Sequence, residues 1–360
     1  MIILFCDNLK SQSGWGRYSR DILEIIKHRK DVIIICHKKN KKLNFLQYNL
    51  LRNPIEYLKN PFLIFIDVKK IKVLLSKFYL ENNIAHFTVE PYILFLPFLK
   101  NFFNKNIFTA HGSYSLILYK SFRVSILFKI SIKYLNLVIY VSNYTKRKIK
   151  EIFANPVIKT RVIINSIYFK KFLNQTRKKN YFISIGSVKP RKGHHHLIPV
   201  IKDLIKKNYN NFLFEIIGSI DDKIYYQYLK KRVAEEKLGK FLKFKGFLSD
   251  KKLRSKMKYS KLLILLSDDI GDKFEGFGLV YLEALYYKLH VIISKNSGAN
   301  CLRIPHASGI ISEPNNYKKI SKYVEDIINN NIKIDYKINK AFLMKSFNIY
   351  SSKIKSLYKN

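Results

Sequence analysis

Short, continuously apolar runs recur along this chain, separated by mixed apolar and polar segments long enough for helices. In the first half the runs are 2–6, 32–36, 63–66, 84–87, 107–109 and 137–141. Runs of this kind, without alternation, predict strands buried on both faces, as in parallel sheets. Segments 17–27, 69–80 and 116–134 predict helices among them. The second half repeats the succession, with strands expected at 182–186, 212–218, 242–245, 262–266 and 290–294. Its helices are expected at 194–206, 223–236, 251–259, 278–287 and 317–329. Alternation of this kind predicts an α/β protein of two Rossmann-like, doubly wound domains facing each other across a cleft. The expected boundaries are 1–168 for the first domain, 169–180 for a linker and 181–340 for the second domain. The closing stretch, 341–360, is expected to form a helix over 342–358 that packs back on the first domain.

Composition supports two real cores, because 48% of the 360 residues are apolar. Cys6, Cys36 and Cys301 show neither a zinc spacing nor a disulfide framework, which fits a reducing compartment. The opening run, residues 1–7, lacks a basic leader and a small-residue cleavage site, so it reads as a strand rather than a signal peptide. No run approaches the roughly 18–20 apolar residues of a spanning helix. Charge is the outlier: 67 basic residues oppose 25 acidic ones, for a formal net charge of +42. Such a field attracts polyanions. Residues 114–134 interleave apolar and aromatic side chains with Lys120, Arg123, Lys129 and Lys133. That pattern suits either an anionic membrane surface or a core-facing helix with a solvated side. Nucleic acid is not an expected partner, since no recognition module occurs.

Four places carry candidate chemistry. After the first strand, Gly14 and Gly16 lead into a helix and allow close backbone approach of an anion or sugar. In the second half a strand ends at Gly186, and Pro190-Arg191-Lys192-Gly193 follows. Cations at the C-terminal edge of a parallel strand suit a diphosphate. His111 closes a first-domain strand, and either a site role or a structural hydrogen bond fits it. Glu275-Gly276-Phe277-Gly278-Leu279 then runs into an apolar helical pattern that contains Glu283. A Gly-rich turn at a helix N-terminus presents N–H groups to oxygen-rich ligands, though acids there also simply favour the helix dipole. Three consecutive histidines, His194 to His196, resemble a metal tract, but successive side chains on a helix diverge, so they read as helix surface. No metal ligand set is expected.

Taken together and in order, these motifs resemble the retaining glycosyltransferases of family 4, which adopt the GT-B fold. The resemblance rests on Glu275 and Glu283 as an E-x7-E pair, the Gly14–Arg17 loop, His111-Gly112 and the Pro190–Gly193 loop. It extends to Val141-Ser142-Asn143-Tyr144 and Lys245-Gly246-Phe247. Many relatives carry Arg directly after the glycine of the phosphate loop, where this chain has Ser187.

The resemblance implies metal-independent transfer of a hexose-type sugar from a UDP- or GDP-sugar, with retention of configuration. The acceptor would be a glycan or lipid-linked molecule in cell-surface polysaccharide synthesis. No cofactor is implied beyond the nucleotide sugar itself. Catalytic roles fall to Glu275, His111 and Lys192, with Glu275 near the donor sugar. Donor binding falls to Gly14, Gly16, Arg191, Lys192, Gly276, Phe277, Gly278, Leu279 and Glu283. Of these, Arg191 and Lys192 would hold the diphosphate and Glu283 the ribose hydroxyls. The basic surface adds an expected cytoplasmic location, peripheral at the inner face of the membrane. The alternative is a non-catalytic GT-B-like protein that binds a nucleotide or polyanion.

Overall fold

The computed structural model describes residues 1–9, 13–78, 82–169 and 180–359. Most of the expected linker therefore lies outside the described residues. The chain forms two compact units, one of residues 1–168 with 348–360 and the other of residues 169–347.

The first unit contains a seven-stranded sheet built from β1 (Ile2–Asn8), β2 (Val32–Lys38), β3 (Leu46–Asn49), β4 (Ile84–Phe87), β5 (Lys105–Ala110), β6 (Leu137–Tyr140) and β7 (Lys159–Val162). Its order is β3-β2-β1-β4-β5-β6-β7, with every pairing parallel. The second unit contains β8 (Tyr181–Ile185), β9 (Leu213–Ile217), β10 (Leu242–Gly246), β11 (Leu262–Leu265), β12 (His290–Ser294) and β13 (Gly309–Ser312). These lie in the order β10-β9-β8-β11-β12-β13, also parallel. Each sheet reverses its winding once, between β1 and β4 and between β8 and β11. The ends of the strands at such a reversal are where an open α/β sheet leaves room for a ligand.

Central strands match their apolar runs because they are covered on both faces. From Ile2 to Cys6 every residue of β1 is buried, and so is every residue of β11 and β12. The expected strand at 63–66 is instead the start of the helix Leu63–Leu75. A four-residue apolar run does not distinguish the two, and the period decides: Ile64, Asp67, Val68, Ile71, Leu74 and Leu75 form its buried face. Buried Asp67 is anchored by Arg52 Nε and the Tyr57 hydroxyl, each at 2.9 Å. The expected helix over 116–134 is two helices, Ser113–Lys120 and Ser125–Ile132, broken around Ser121.

The closing helix runs from Tyr336 to Leu357, and its final turns belong to the first unit. There Tyr350, Ile354, Leu357 and Tyr358 are buried. The Tyr358 hydroxyl meets His86 Nδ1 at 2.6 Å, and His86 Nε2 meets the Thr109 hydroxyl at 2.8 Å. Burial, reinforced by His111, holds the His86 ring down at about 3, so it stays neutral. Tyr358→Ala removes both a buried ring and the partner of His86, and is expected to destabilise the first unit by about 3 kcal/mol. Tyr358→Phe keeps the ring and is expected to cost about 1 kcal/mol. Denaturant unfolding of the three proteins checks this, and equal midpoints would refute it.

Candidate active site

The loop after β8 is built around its glycines. Gly193 has a left-handed φ of 64°, and a Cβ there would sit 1.7 Å from the Leu266 carbonyl oxygen. Gly186 leaves room for the Lys192 stem, whose Cδ would lie 3.2 Å from an added Cβ. Pro190 starts a short 3-10 turn, Pro190–Lys192, closed by the Gly193 N–H donating to the Pro190 carbonyl at 2.9 Å. Arg191 and Lys192 are thereby directed toward the reversal between β8 and β11.

Glu275 comes to the same point from the loop after β11. Its Oε2 accepts from Arg191 Nη1 at 2.8 Å and also contacts Lys192 Nζ. Its backbone is fixed from the other side, where Gly298 N–H donates to the Glu275 carbonyl at 2.9 Å in the loop after β12. The carboxylate is only 12% exposed. Burial alone would raise it, but Lys192 and then Arg191 overcome that effect and hold it at about 2. Burial acts oppositely on the Lys192 ammonium and lowers it, with Glu275 pulling it back. Two cations addressing one oxygen keep the carboxylate ionised.

The rest of the E-x7-E segment is shaped by Tyr281. Its hydroxyl donates to the Leu265 carbonyl at 2.6 Å, which fastens the helix Val280–Tyr286 to the end of β11. Gly278 has φ 87°, and a Cβ on it would lie 2.8 Å from the Tyr281 ring. Gly276 and Phe277 are buried in the turn, with Gly278 and Leu279 half-buried after them. Leu279 is the N-cap of that helix and makes no side-chain capping bond. Glu283 stands half-buried within that helix.

In the first unit the predicted residues gather around an acid that the sequence pattern did not single out. Glu90, fully buried, accepts Trp15 Nε1–H at 2.7 Å and the N–H groups of His111 and Gly112 at 3.0 Å each. It therefore ties the Gly14–Gly16 turn to the end of β5. The signal available was an acid followed by Pro91 directly before an apolar run. Gly14 opens its helix, and a Cβ there would meet nothing within 4 Å, so packing within the protein does not demand glycine. The Gly16 N–H is taken by the Ser13 hydroxyl cap at 3.1 Å. His111 donates from Nε2 to the Thr88 carbonyl at 2.9 Å, and burial keeps its ring neutral by lowering it to about 4.

The histidine tract is not helix surface. His194 is buried, with Nδ1 3.1 Å from the Ser184 hydroxyl, whereas His195 and His196 converge on Asp268. The tract forms a tight 3-10 turn before the helix Leu197–Lys206, and Gly193 sets its direction.

Two Rossmann-like units, one of which gathers two cations and a carboxylate at its winding reversal, are the architecture of the GT-B fold. Residues 167–343 match the family described as Glycosyl transferases group 1. It is similar to an uncharacterized glycosyltransferase of Methanocaldococcus jannaschii, 29% identical over 225 residues that cover 62% of this chain and 59% of the relative. It is also similar to the O-antigen chain mannosyltransferase RfbU of Salmonella typhimurium, 31% identical over 168 residues that cover 47% of this chain and 44% of the relative. The chain thus spans less than two thirds of either relative's length. The fold matches Anabaena HepE, solved in complex with UDP, with a TM-score of 0.72 at 15% identity and coverage of 99% and 98% of the two chains.

The buried acid in the first unit makes a pH prediction. Burial raises the Glu90 carboxyl from 4.5 to about 7, against the bonds from Trp15, His111 and Gly112. A raised acid holds its proton more tightly folded than unfolded, so this contribution to stability is present below about 4.5 and lost as pH rises through 7. Glu90→Gln is expected to flatten that part of the stability profile, measured by unfolding between pH 4 and 8. An unchanged slope would show that Glu90 does not titrate there.

Proposed function

We propose that this protein transfers a sugar from a nucleoside diphosphate sugar to a glycan or lipid-linked acceptor. One observation carries the reading: Arg191 and Lys192 converge on Glu275 at the winding reversal of the second sheet. Without a ligand the two cations neutralise the carboxylate. A bound diphosphate would draw Arg191 and Lys192 to its oxygens, while Glu275 turns toward the sugar hydroxyls. Fixed cations already oriented there would stabilise the charge that develops on the leaving group.

Retention follows the family 4 likeness. The bond from the anomeric carbon to the diphosphate oxygen breaks, and the acceptor oxygen bonds to the same face. The acceptor proton passes to the departing diphosphate oxygen. Glu283 would hold the ribose, and the turn at Gly276–Leu279 would offer N–H groups to sugar or phosphate oxygens. By the same likeness His111 would take a catalytic role, and Gly14 and Gly16 would bind the donor. A hexose donor, UDP or GDP as nucleotide, and a role in surface polysaccharide belong to the same reading. The O-antigen mannosyltransferase and the UDP-bound fold relative support it.

The test is turnover. With a donor identified by thermal shift, Lys192→Ala or Glu275→Ala is expected to lower kcat/KM by about 100-fold or more. Glu283→Ala is expected to raise the donor KM by about tenfold, with a smaller effect on kcat. A protein that binds nucleotide sugars yet never releases the nucleoside diphosphate would favour the non-catalytic reading instead.

The basic surface extends this proposal to an anionic membrane face. Among the described residues no helix is long and apolar enough to cross a membrane. Phe122, between the helices Ser113–Lys120 and Ser125–Ile132, is fully exposed at 100%, and Ile126, in the first turn of the second helix, is 74% exposed. Exposed Lys120, Arg123, Lys129 and Lys133 flank them along the chain. Exposed aromatic and aliphatic side chains interleaved with cations suit a headgroup boundary. Flotation with anionic vesicles is expected to be salt-sensitive and to weaken about tenfold in the Phe122→Ser, Ile126→Ser double variant. Equal binding to neutral vesicles would remove the electrostatic basis.

A further inference from the structure

A second polar cluster in the second unit takes no part in the proposed transfer. His196 Nε2 lies 2.7 Å from Asp268 Oδ2, and His195 Nε2 lies 3.7 Å from the same oxygen. One ligand atom from each of the three residues falls within 4.8 Å of the others. Successive residues of a 3-10 turn point about 120° apart, so two adjacent imidazoles on one carboxylate are not the default outcome. Here the rings lie 4.0 Å apart at 37°.

Tyr225 accounts for the orientation. Its hydroxyl accepts the His195 backbone N–H at 3.1 Å and stands 2.9 Å from His195 Nδ1. With the ring proton on Nδ1 toward Tyr225, His195 Nε2 keeps its lone pair toward Asp268. Asp268 is held in turn through its backbone N–H, which donates to the Arg191 carbonyl at 2.9 Å. Both imidazoles border a surface cavity of about 530 Å³ that gives solvent access. Of the cations on its wall, Lys202 and Arg232 share Glu236 at 2.6 and 3.4 Å, so one carboxylate offsets part of their charge.

We propose that His195, His196 and Asp268 form a binding site for one Zn2+ ion, with solvent completing a tetrahedral set. Two imidazoles and a carboxylate suit a borderline cation such as Zn2+, whereas Mg2+ and Ca2+ favour oxygen-only sets. Ligand atoms about 2.0 Å from a tetrahedral ion are about 3.3 Å apart, a value bracketed by the two measured separations. The ion replaces the hydrogen bond between His196 and Asp268. It thereby ties the loop after β11 to the turn that carries Arg191 and Lys192. Its role is to brace that turn, not to touch substrate.

Equilibrium dialysis of tag-free protein against ZnCl2 tests the site without reference to sugar transfer. The wild type is expected to retain one equivalent. His196→Ala and Asp268→Asn are expected to lose it, and Tyr225→Phe to bind about tenfold more weakly. Asp268→Asn keeps a side chain able to bond His196, so loss of metal in a protein with unchanged circular dichroism supports ligation. Cobalt substitution should give visible bands of four-coordinate Co2+ in the wild type alone. The proposal is overturned by substoichiometric Zn2+, or by retention unchanged in both His196→Ala and Asp268→Asn.

Discussion

Two cations and one carboxylate share a buried corner of the second unit, and none of the three is stable there alone. Removing Glu275 would leave Arg191 and Lys192 facing each other in a poorly hydrated site. Removing either cation would leave a carboxylate that burial pushes toward its neutral form. Breaking a buried pair from one side typically costs about 3–5 kcal/mol, so the local backbone has to deliver all three groups together. Much of the surrounding geometry serves that end. Gly193 and Gly186 shape the loop that carries the cations, and Gly298 clamps the backbone of the acid.

Self-neutralisation also matters for binding. A phosphate-binding site with unpaired cations would be costly to bury without its ligand. Here Glu275 serves as an internal counterion, and under the proposed function a diphosphate would enter by exchange of partners rather than by filling a bare positive pocket. The first unit solves the converse problem. Among the described residues, Glu90 is held by an indole N–H and two backbone N–H groups rather than by a cation. That leaves its protonation sensitive to pH near neutrality, whereas Glu275 stays ionised throughout.

Elements were legible in the sequence in proportion to their burial. Central strands β1, β11 and β12 carry uninterrupted apolar runs because they are covered on both faces. Edge strands β3 and β7 were not legible. Leu46-Gln47-Tyr48-Asn49 and Lys159-Thr160-Arg161-Val162 are largely exposed, and edge strands favour polar side chains that discourage further pairing. The run at 63–66 misled for the opposite reason. Its outward residues Phe65 and Ile66 are apolar though exposed, which hid the helical period that Ile64, Asp67 and Val68 follow.

The sequence by itself determined the two-fold α/β succession, the cationic loop after Gly186 and the acids of the E-x7-E segment. These are local facts, since apolar periodicity, glycine at constrained turns and residue spacing act within one element. Only the tertiary structure decided which groups meet. Arg191 and Glu275 are 84 positions apart and become partners because β8 and β11 are neighbours at the winding reversal. Glu90 joins Trp15 to His111, and Asp268 gathers two histidines, for the same reason: parallel sheets bring the ends of sequence-distant strands into contact. Spacing along the chain carries no record of that contact.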